Sequence, residues 1–142
     1  MYLWDANSVR HFGQGHPTLR LHVLRVPWAD IALPSVVVAE VLRGRCDFAL
    51  KASPSQAPLA YQRVLDTLHM LSRFHIAVFD QAGAVEMERL RRRHRRRKRY
   101  ADLMIAAMTI AGQHVLVTRN LADFVDLLPH AQLVNWIDDP PG

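Results

Sequence analysis

The sequence predicts a single α/β domain built on a short, mostly parallel sheet. Three observations carry that prediction. Brief apolar runs alternate with longer helical patterns along the chain. Runs such as Val115-Leu116-Val117 are apolar at every position, as strands covered on both faces must be. No repeat or shift in composition marks an internal boundary, and 142 residues at 50% hydrophobic composition suit one domain with a real core. The domain is expected to span 1–142, with 137–142 a frayed tail.

The elements follow in order. Tyr2-Leu3-Trp4 reads as a buried first strand that stops at Asp5. Residues 7–12 and 17–26 read as short helical pieces around Gly13 and Gly15, and Ile31-Ala32-Leu33 as a second strand. Pro34-Ser35 opens a helix, with Ser35 as candidate cap. That helix carries Val36, Val37, Val38, Ala39, Val41 and Leu42, broken by Glu40, a pattern that predicts burial on most of its surface. A turn-rich loop at 52–58 precedes a helix over 59–73, with Leu59, Val64, Leu65, Leu68 and Leu71 on one face. A strand at 76–79, helices at 81–98 and 101–112, and a strand at 115–117 come next. A short helix or turn at 120–127 and an edge strand at 132–135 complete the chain.

Composition excludes several classes. The single cysteine, Cys46, cannot support a disulfide framework or a cysteine zinc site. The N-terminus lacks a basic region followed by an apolar run, and no stretch approaches the roughly 20 apolar residues of a membrane span. A cytoplasmic protein without a membrane segment is expected. The net charge of +5 is local in origin. Residues 91–99 (Arg-Arg-Arg-His-Arg-Arg-Arg-Lys-Arg) hold eight of the 18 Lys and Arg residues, leaving ten against 13 acidic ones, a balance of −3. One dense basic patch on a mildly acidic protein points to a polyanionic partner.

Four acids stand where an open parallel sheet places its functional residues, outside the carboxyl ends of the strands. Asp5 follows the first strand and Glu40 lies about two turns into the helix after the second. Asp102 opens a helix after the basic run, and Asp123 follows the 115–117 strand. Each has a structural alternative: Asp5 or Asp102 as a helix cap, Asp123 as a surface residue like Asp126 and Asp138. Glu40 interrupts an apolar run, where a charge is costly unless paired or bound to a metal. Converging carboxylates with no cysteine or clustered histidine favour Mg²⁺, or Mn²⁺, over zinc. Acids beside a basic patch are the combination that phosphodiester hydrolysis requires.

Four segments in this order resemble the PIN-domain ribonucleases, specifically the VapC toxins of toxin–antitoxin pairs. They are Tyr2-Leu3-Trp4-Asp5-Ala6-Asn7, residues 33–44 (Leu-Pro-Ser-Val-Val-Val-Ala-Glu-Val-Leu-Arg-Gly), residues 101–107 (Ala-Asp-Leu-Met-Ile-Ala-Ala) and residues 116–124 (Leu-Val-Thr-Arg-Asn-Leu-Ala-Asp-Phe), with Leu133-Val134-Asn135-Trp136 similar to the closing strand. The resemblance implies a three-layer α/β/α sandwich and endoribonuclease activity on RNA, restrained by a cognate antitoxin, with a homodimer expected. It places Asp5, Glu40, Asp102 and Asp123 at the catalytic positions, Asp5 and Asp102 as direct Mg²⁺ ligands, and Asn7, Thr118 and Asn120 as supporting residues. Two features depart from the pattern. Ala6 stands where the family commonly has Thr, which removes a hydroxyl beside the metal, and the basic run is denser than usual. A catalytically weak RNA- or antitoxin-binding module is therefore the alternative.

The basic run has three readings: a solvated segment, a dock for an acidic partner, or an RNA-backbone clamp. In the clamp reading Arg91, Arg92, Arg93, Arg95, Arg96, Arg97, Lys98 and Arg99 bind RNA, because the planar guanidinium can hold two phosphate oxygens. The spacing of His11, His16 and His22 matches no zinc signature. Cys46 is expected to be packed, and Trp4, Trp28 and Trp136 to anchor the core or an interface.

Overall fold

The computed structural model describes residues 1–95 and 99–142. Its elements are β1 (Tyr2–Trp4), α1 (Ala6–Gly13), α2 (Pro17–Val23), β2 (Ile31–Pro34), α3 (Ser35–Lys51) and α4 (Ala57–Leu71), followed by β3 (His75–Ala77), α5 (Gln81–Arg93), α6 (Tyr100–Ala111), β4 (Val115–Val117) and β5 (Leu133–Val134). Short 3-10 turns occupy Trp28–Asp30, Leu121–Asp123 and His130–Gln132. The strands form one sheet in the order β3-β2-β1-β4-β5, and every pairing is parallel. A parallel pair needs a long crossover, and the helices supply it, giving a three-layer α/β/α sandwich.

The strands are apolar because both faces are covered. Leu3, Trp4, Ile31, Ala32, Leu33, Leu116 and Val117 are all fully buried. Trp4 anchors an aromatic cluster, with ring centroids 5.4 Å from Phe12, 5.5 Å from Phe74 and 6.4 Å from Trp136. Trp28 is half-buried and packs at a tilt against the same cluster, its ring centroid 4.7 Å from that of Phe74 and its indole N–H donating to the Arg73 carbonyl. α6 is buried at Leu103 and from Ile105 to Thr109, the all-round apolar helix that its sequence predicts.

Several expectations need correction. α3 is not buried on most of its surface, since Val37 and Ala49 alone are fully buried along it. Its residues Glu40, Val41, Gly44, Arg45 and Phe48 line a cleft instead. Ser35 does not cap α3; its Oγ accepts from the Phe79 backbone N–H at 3.0 Å, tying the exit of β3 to the start of the helix. On α4 the core side is Ala60, Thr67 and Leu71, while Leu59, Leu65 and Leu68 are exposed. Cys46 is exposed rather than packed. The helix expected over 81–98 ends at Arg93, where like charges three and four residues apart oppose its continuation. The tail is not frayed at its start: Ile137 is buried and Asp138 is paired with Arg119.

Candidate active site

The chain proceeds from β1 to β2 and β3 on one side of the sheet, then crosses to β4 and β5 on the other. The strand order therefore reverses between β1 and β4, the place where open α/β sheets hold their ligands. Asp5 leaves β1 and Thr118 leaves β4, so the two residues flank that crevice.

Asp5 is only 7% exposed, and two donors fix its carboxylate. The Ser8 backbone N–H donates to Oδ1 at 2.7 Å, and the buried Thr118 hydroxyl donates to Oδ2 at 2.6 Å. The first contact makes Asp5 the N-cap of α1, so the structural alternative for this residue is realised. The second contact spans 113 positions in sequence and exceeds what a cap requires. Thr118 Oγ1 also accepts from the Asn120 backbone N–H at 3.0 Å, and the Thr118 N–H donates to the Val134 carbonyl. Asp5 is thus a buried carboxylate of one fixed orientation, with acceptor lone pairs remaining on both oxygens.

The other three acids differ in setting. Glu40 is not buried. Its side chain is 40% exposed, lies 3.6 Å from the Arg99 guanidinium and lines a cleft of ≈ 720 Å³. The cost of burying a charge, which singled it out in the sequence, does not apply. What sets Glu40 apart is its place on the cleft wall with Ala6, the neighbour of Asp5. Asp102 is half-buried in the first turn of α6, three residues beyond the N-cap Arg99. Asp123 is exposed at the end of the 121–123 turn, its N–H donating to the Asn120 carbonyl. Asn7 lies half-buried in the first turn of α1, and Asn120 is exposed.

Among the described residues no three His, Cys, Asp or Glu side chains are grouped closely enough to hold a metal ion. The donor set fits a hard ion of one kind. Mg²⁺ is characteristically held by one or two carboxylates, with water and substrate phosphate completing its shell, and needs no closed protein cage. Asp5, buried, pre-oriented and at the head of the crevice, has the chemistry for the first of those carboxylates.

Two contributions escaped the sequence reading. Ser8 is fully buried, donating its N–H to Asp5 and its hydroxyl to the Val117 carbonyl. Its signal was present as the third residue after a strand-ending Asp, the position an N-cap carboxylate bonds. Asp138, read as a surface acid, clamps Arg119 through two bonds of 3.0 and 2.8 Å and accepts from Asn135 at 2.9 Å. The Asn135 and Arg119 bonds hold its carboxyl below the usual carboxylate range. This ties the exit of β5 to that of β4, one residue from Thr118; no local signal in the sequence pairs the two.

The basic run is partly described. Arg91 and Arg92 lie 3.9 and 3.5 Å from Glu88 on the preceding turn of α5, and Arg91 sits over the Tyr100 ring. All three described arginines of α5's last turn are exposed, as are Arg95 and Arg99. Arg96, Arg97 and Lys98 fall outside the described residues.

The PIN domain family model matches residues 8–126, most of the chain. The protein belongs to the PIN-domain family. PIN domains are typically nucleases that use divalent metal ions, and the parallel sheet with six helices is the fold of that family. Solved structures agree on the fold. The chain is similar to a VapBC2 structure from Rickettsia felis bound to a DNA fragment from its promoter, at 28% identity and TM-score 0.68, covering 95% of this chain and 98% of that one. It is also similar to a toxin–antitoxin complex from Klebsiella pneumoniae, at 21% identity and TM-score 0.70, with 96% and 98% covered. A third is FitAcB from Neisseria gonorrhoeae, at 20% identity and TM-score 0.74, with 98% and 100% covered. No curated protein matches the chain. Among the described residues, no helix of this PIN domain is long and apolar enough to cross a membrane.

Proposed function

We propose that this PIN domain is a Mg²⁺-dependent endoribonuclease, the toxin of a VapBC-type pair acting in the cytoplasm. The observation that carries the reading is the Asp5 carboxylate, buried at the carboxyl end of the central strand and held by Ser8 and Thr118. Asp5 and Asp102 are the proposed metal ligands, with Glu40 and Asp123 completing the acidic surface and Asn7, Thr118 and Asn120 supporting it. Bound Mg²⁺, or Mn²⁺, would supply an activated water and charge stabilisation at the phosphate. The chain's own part is positional. Thr118 and Ser8 keep Asp5 in one rotamer, and Arg99 offsets the charge of Glu40 until a ligand enters the cleft. Arg91, Arg92, Arg93, Arg95 and Arg99, with Arg96, Arg97 and Lys98, are proposed to grip the RNA backbone.

The toxin–antitoxin structures among its relatives support an antitoxin as protein partner. A homodimer is also proposed, for which the exposed Tyr61, Leu65 and Leu68 of α4 leave apolar surface available. A second reading, a PIN-like module of weak activity that binds RNA or antitoxin, is favoured by Ala6, which offers no hydroxyl beside Asp5.

One experiment separates the readings. Purified protein is incubated with single-stranded RNA, with Mg²⁺ and with a chelator, beside Asp5→Ala. Metal-dependent cleavage by the parent alone supports the nuclease; no cleavage by the parent, or equal cleavage by Asp5→Ala, overturns it. Thr118→Val keeps the side chain's shape but removes the donor to Asp5 and the acceptor for Asn120. It is expected to cost about 1–3 kcal/mol in chemical denaturation and about 10–100-fold in cleavage rate. If the basic run is the clamp, log affinity for single-stranded RNA falls with log salt at about −0.7 per phosphate contact. Four contacts then give about a 50-fold loss between roughly 50 and 200 mM salt in fluorescence anisotropy. Flat affinity over that range opposes the clamp.

A further inference from the structure

The cleft that Glu40 lines is walled by α1, α3 and α4. Ala6, the neighbour of Asp5 in sequence, belongs to it as well. Along α3 the lining continues from Glu40 through Gly44 to Phe48, at steps of four residues that keep one helix face. The advance from Glu40 to Phe48 is about 12 Å of helix axis, so the cleft extends well beyond the acidic surface.

What lines the cleft serves a ligand better than it serves the fold. Phe48 is 55% exposed, an aromatic ring that the core does not use. Gly44 sits in the interior of α3, where glycine weakens a helix relative to alanine, although a Cβ there would meet nothing within 4 Å. Thr67 of α4 is only 6% exposed, yet its hydroxyl makes no hydrogen bond among the described residues. Arg10, Arg45 and Arg63 are exposed, and none is paired with an acid among the described residues. The acids of the lining are Glu40, which Arg99 offsets at 3.6 Å, and Asp66, which accepts from the neutral Gln62 amide at 3.0 Å. Positive charge is therefore in excess along the cleft.

We propose that this cleft is a nucleotide subsite, in which an unpaired base beside the scissile phosphate stacks on Phe48 while its flanking phosphates meet Arg45 and Arg63. The subsite rests on the nuclease reading above and extends it. Every base has a π face, and stacking on an exposed aromatic holds single strands with little regard to sequence. The missing Cβ of Gly44, one turn before Phe48, lets the base approach the helix backbone. Each guanidinium can donate two bonds in one plane to phosphate oxygens. Thr67 supplies a hydroxyl with donor and acceptor capacity for a base edge. An acidic peptide would satisfy the arginines but would leave the open face of Phe48 unused. The cleft also adjoins the acids that would hold the metal, where a substrate strand must pass.

The test measures fluorescence anisotropy of a labelled single-stranded oligouridylate, with Asp5→Asn in every protein to prevent cleavage. Phe48→Leu, which keeps an apolar side chain but removes the π face, is expected to weaken binding about 5–100-fold. Its thermal midpoint is expected to match the parent's, because the ring is exposed. Binding of inorganic polyphosphate, which carries no bases, is expected to be unchanged by Phe48→Leu. Gly44→Ala is expected to raise the thermal midpoint and still weaken RNA binding, a combination that a merely structural glycine does not give. Arg45→Ala and Arg63→Ala are each expected to lower the salt slope by about 0.7, and Lys51→Ala, on α3 outside the cleft, to leave it unchanged. Parent-like RNA binding in both Phe48→Leu and Gly44→Ala overturns the proposal, as does an equal loss of slope in Lys51→Ala. Tighter binding of polyglutamate than of the oligonucleotide, lost in Arg63→Ala, overturns it in favour of an acidic protein partner. In proteins that retain Asp5, Phe48→Leu is expected to raise the KM for RNA more than it lowers kcat. No cleavage by the parent overturns the nuclease reading and the subsite with it; an unchanged KM in Phe48→Leu overturns the subsite alone.

Discussion

Asp5→Ala is expected to abolish metal-dependent RNA cleavage and also to destabilise the protein, whereas Asp5→Asn should abolish cleavage with little loss of stability. The two substitutions separate two roles that one carboxylate holds at once. As the N-cap of α1, Asp5 accepts from the Ser8 N–H, and asparagine caps about as well as aspartate. Alanine lacks that acceptor and leaves the Thr118 hydroxyl buried without one, at about 1–3 kcal/mol together. As a proposed metal ligand, Asp5 contributes a negative charge that neither replacement retains. Loss of a divalent ion's stabilisation, worth several kcal/mol, corresponds to about a thousandfold or more in rate. Rates with and without Mg²⁺, alongside denaturant midpoints, check both halves. Full activity in Asp5→Asn would show that the residue is a cap and nothing more.

Trp4→Ala is expected to cost about 3–5 kcal/mol, the upper range for a core aromatic. Trp4 is fully buried in the central strand, and its ring meets Phe12, Phe74 and Trp136 from α1, from the segment before β3 and from the segment after β5. Few contacts draw so many parts of the chain together. A single domain commonly has a net stability of about 5–15 kcal/mol, so this one substitution removes a large share of it. Since Trp4 also precedes Asp5, loosening the ring frees the backbone that aims the carboxylate. Thermal or denaturant unfolding followed by tryptophan fluorescence measures the loss. A change below about 1 kcal/mol would mean that the cluster tolerates a void, contrary to close packing.

The fold was highly legible in the sequence. Val115-Leu116-Val117 and Ile31-Ala32-Leu33 announce parallel strands because covering both faces leaves no polar position to alternate with. The edges were less legible. β3 begins a residue early and ends at Ala77, because short edge strands are bounded by their pairing with β2 rather than by composition. α3 and α4 misled for a related reason. Apolar residues at helical spacing report a face that favours burial without saying whether anything covers it, and Leu65 and Leu68 are left exposed.

Residue type and spacing along the chain were enough for the class of fold, the family resemblance and the four acids as candidates. Tertiary structure alone decided what those acids are to one another. It fixed Asp5 by a hydroxyl from Thr118, left Glu40 half-exposed beside Arg99 instead of buried, and put Asp123 in solvent. It also paired Arg119 with Asp138, from the exits of two different strands. The physical reason is the same throughout. The charge state and orientation of a side chain depend on solvent exclusion and on partners brought from distant segments, and no local pattern encodes either.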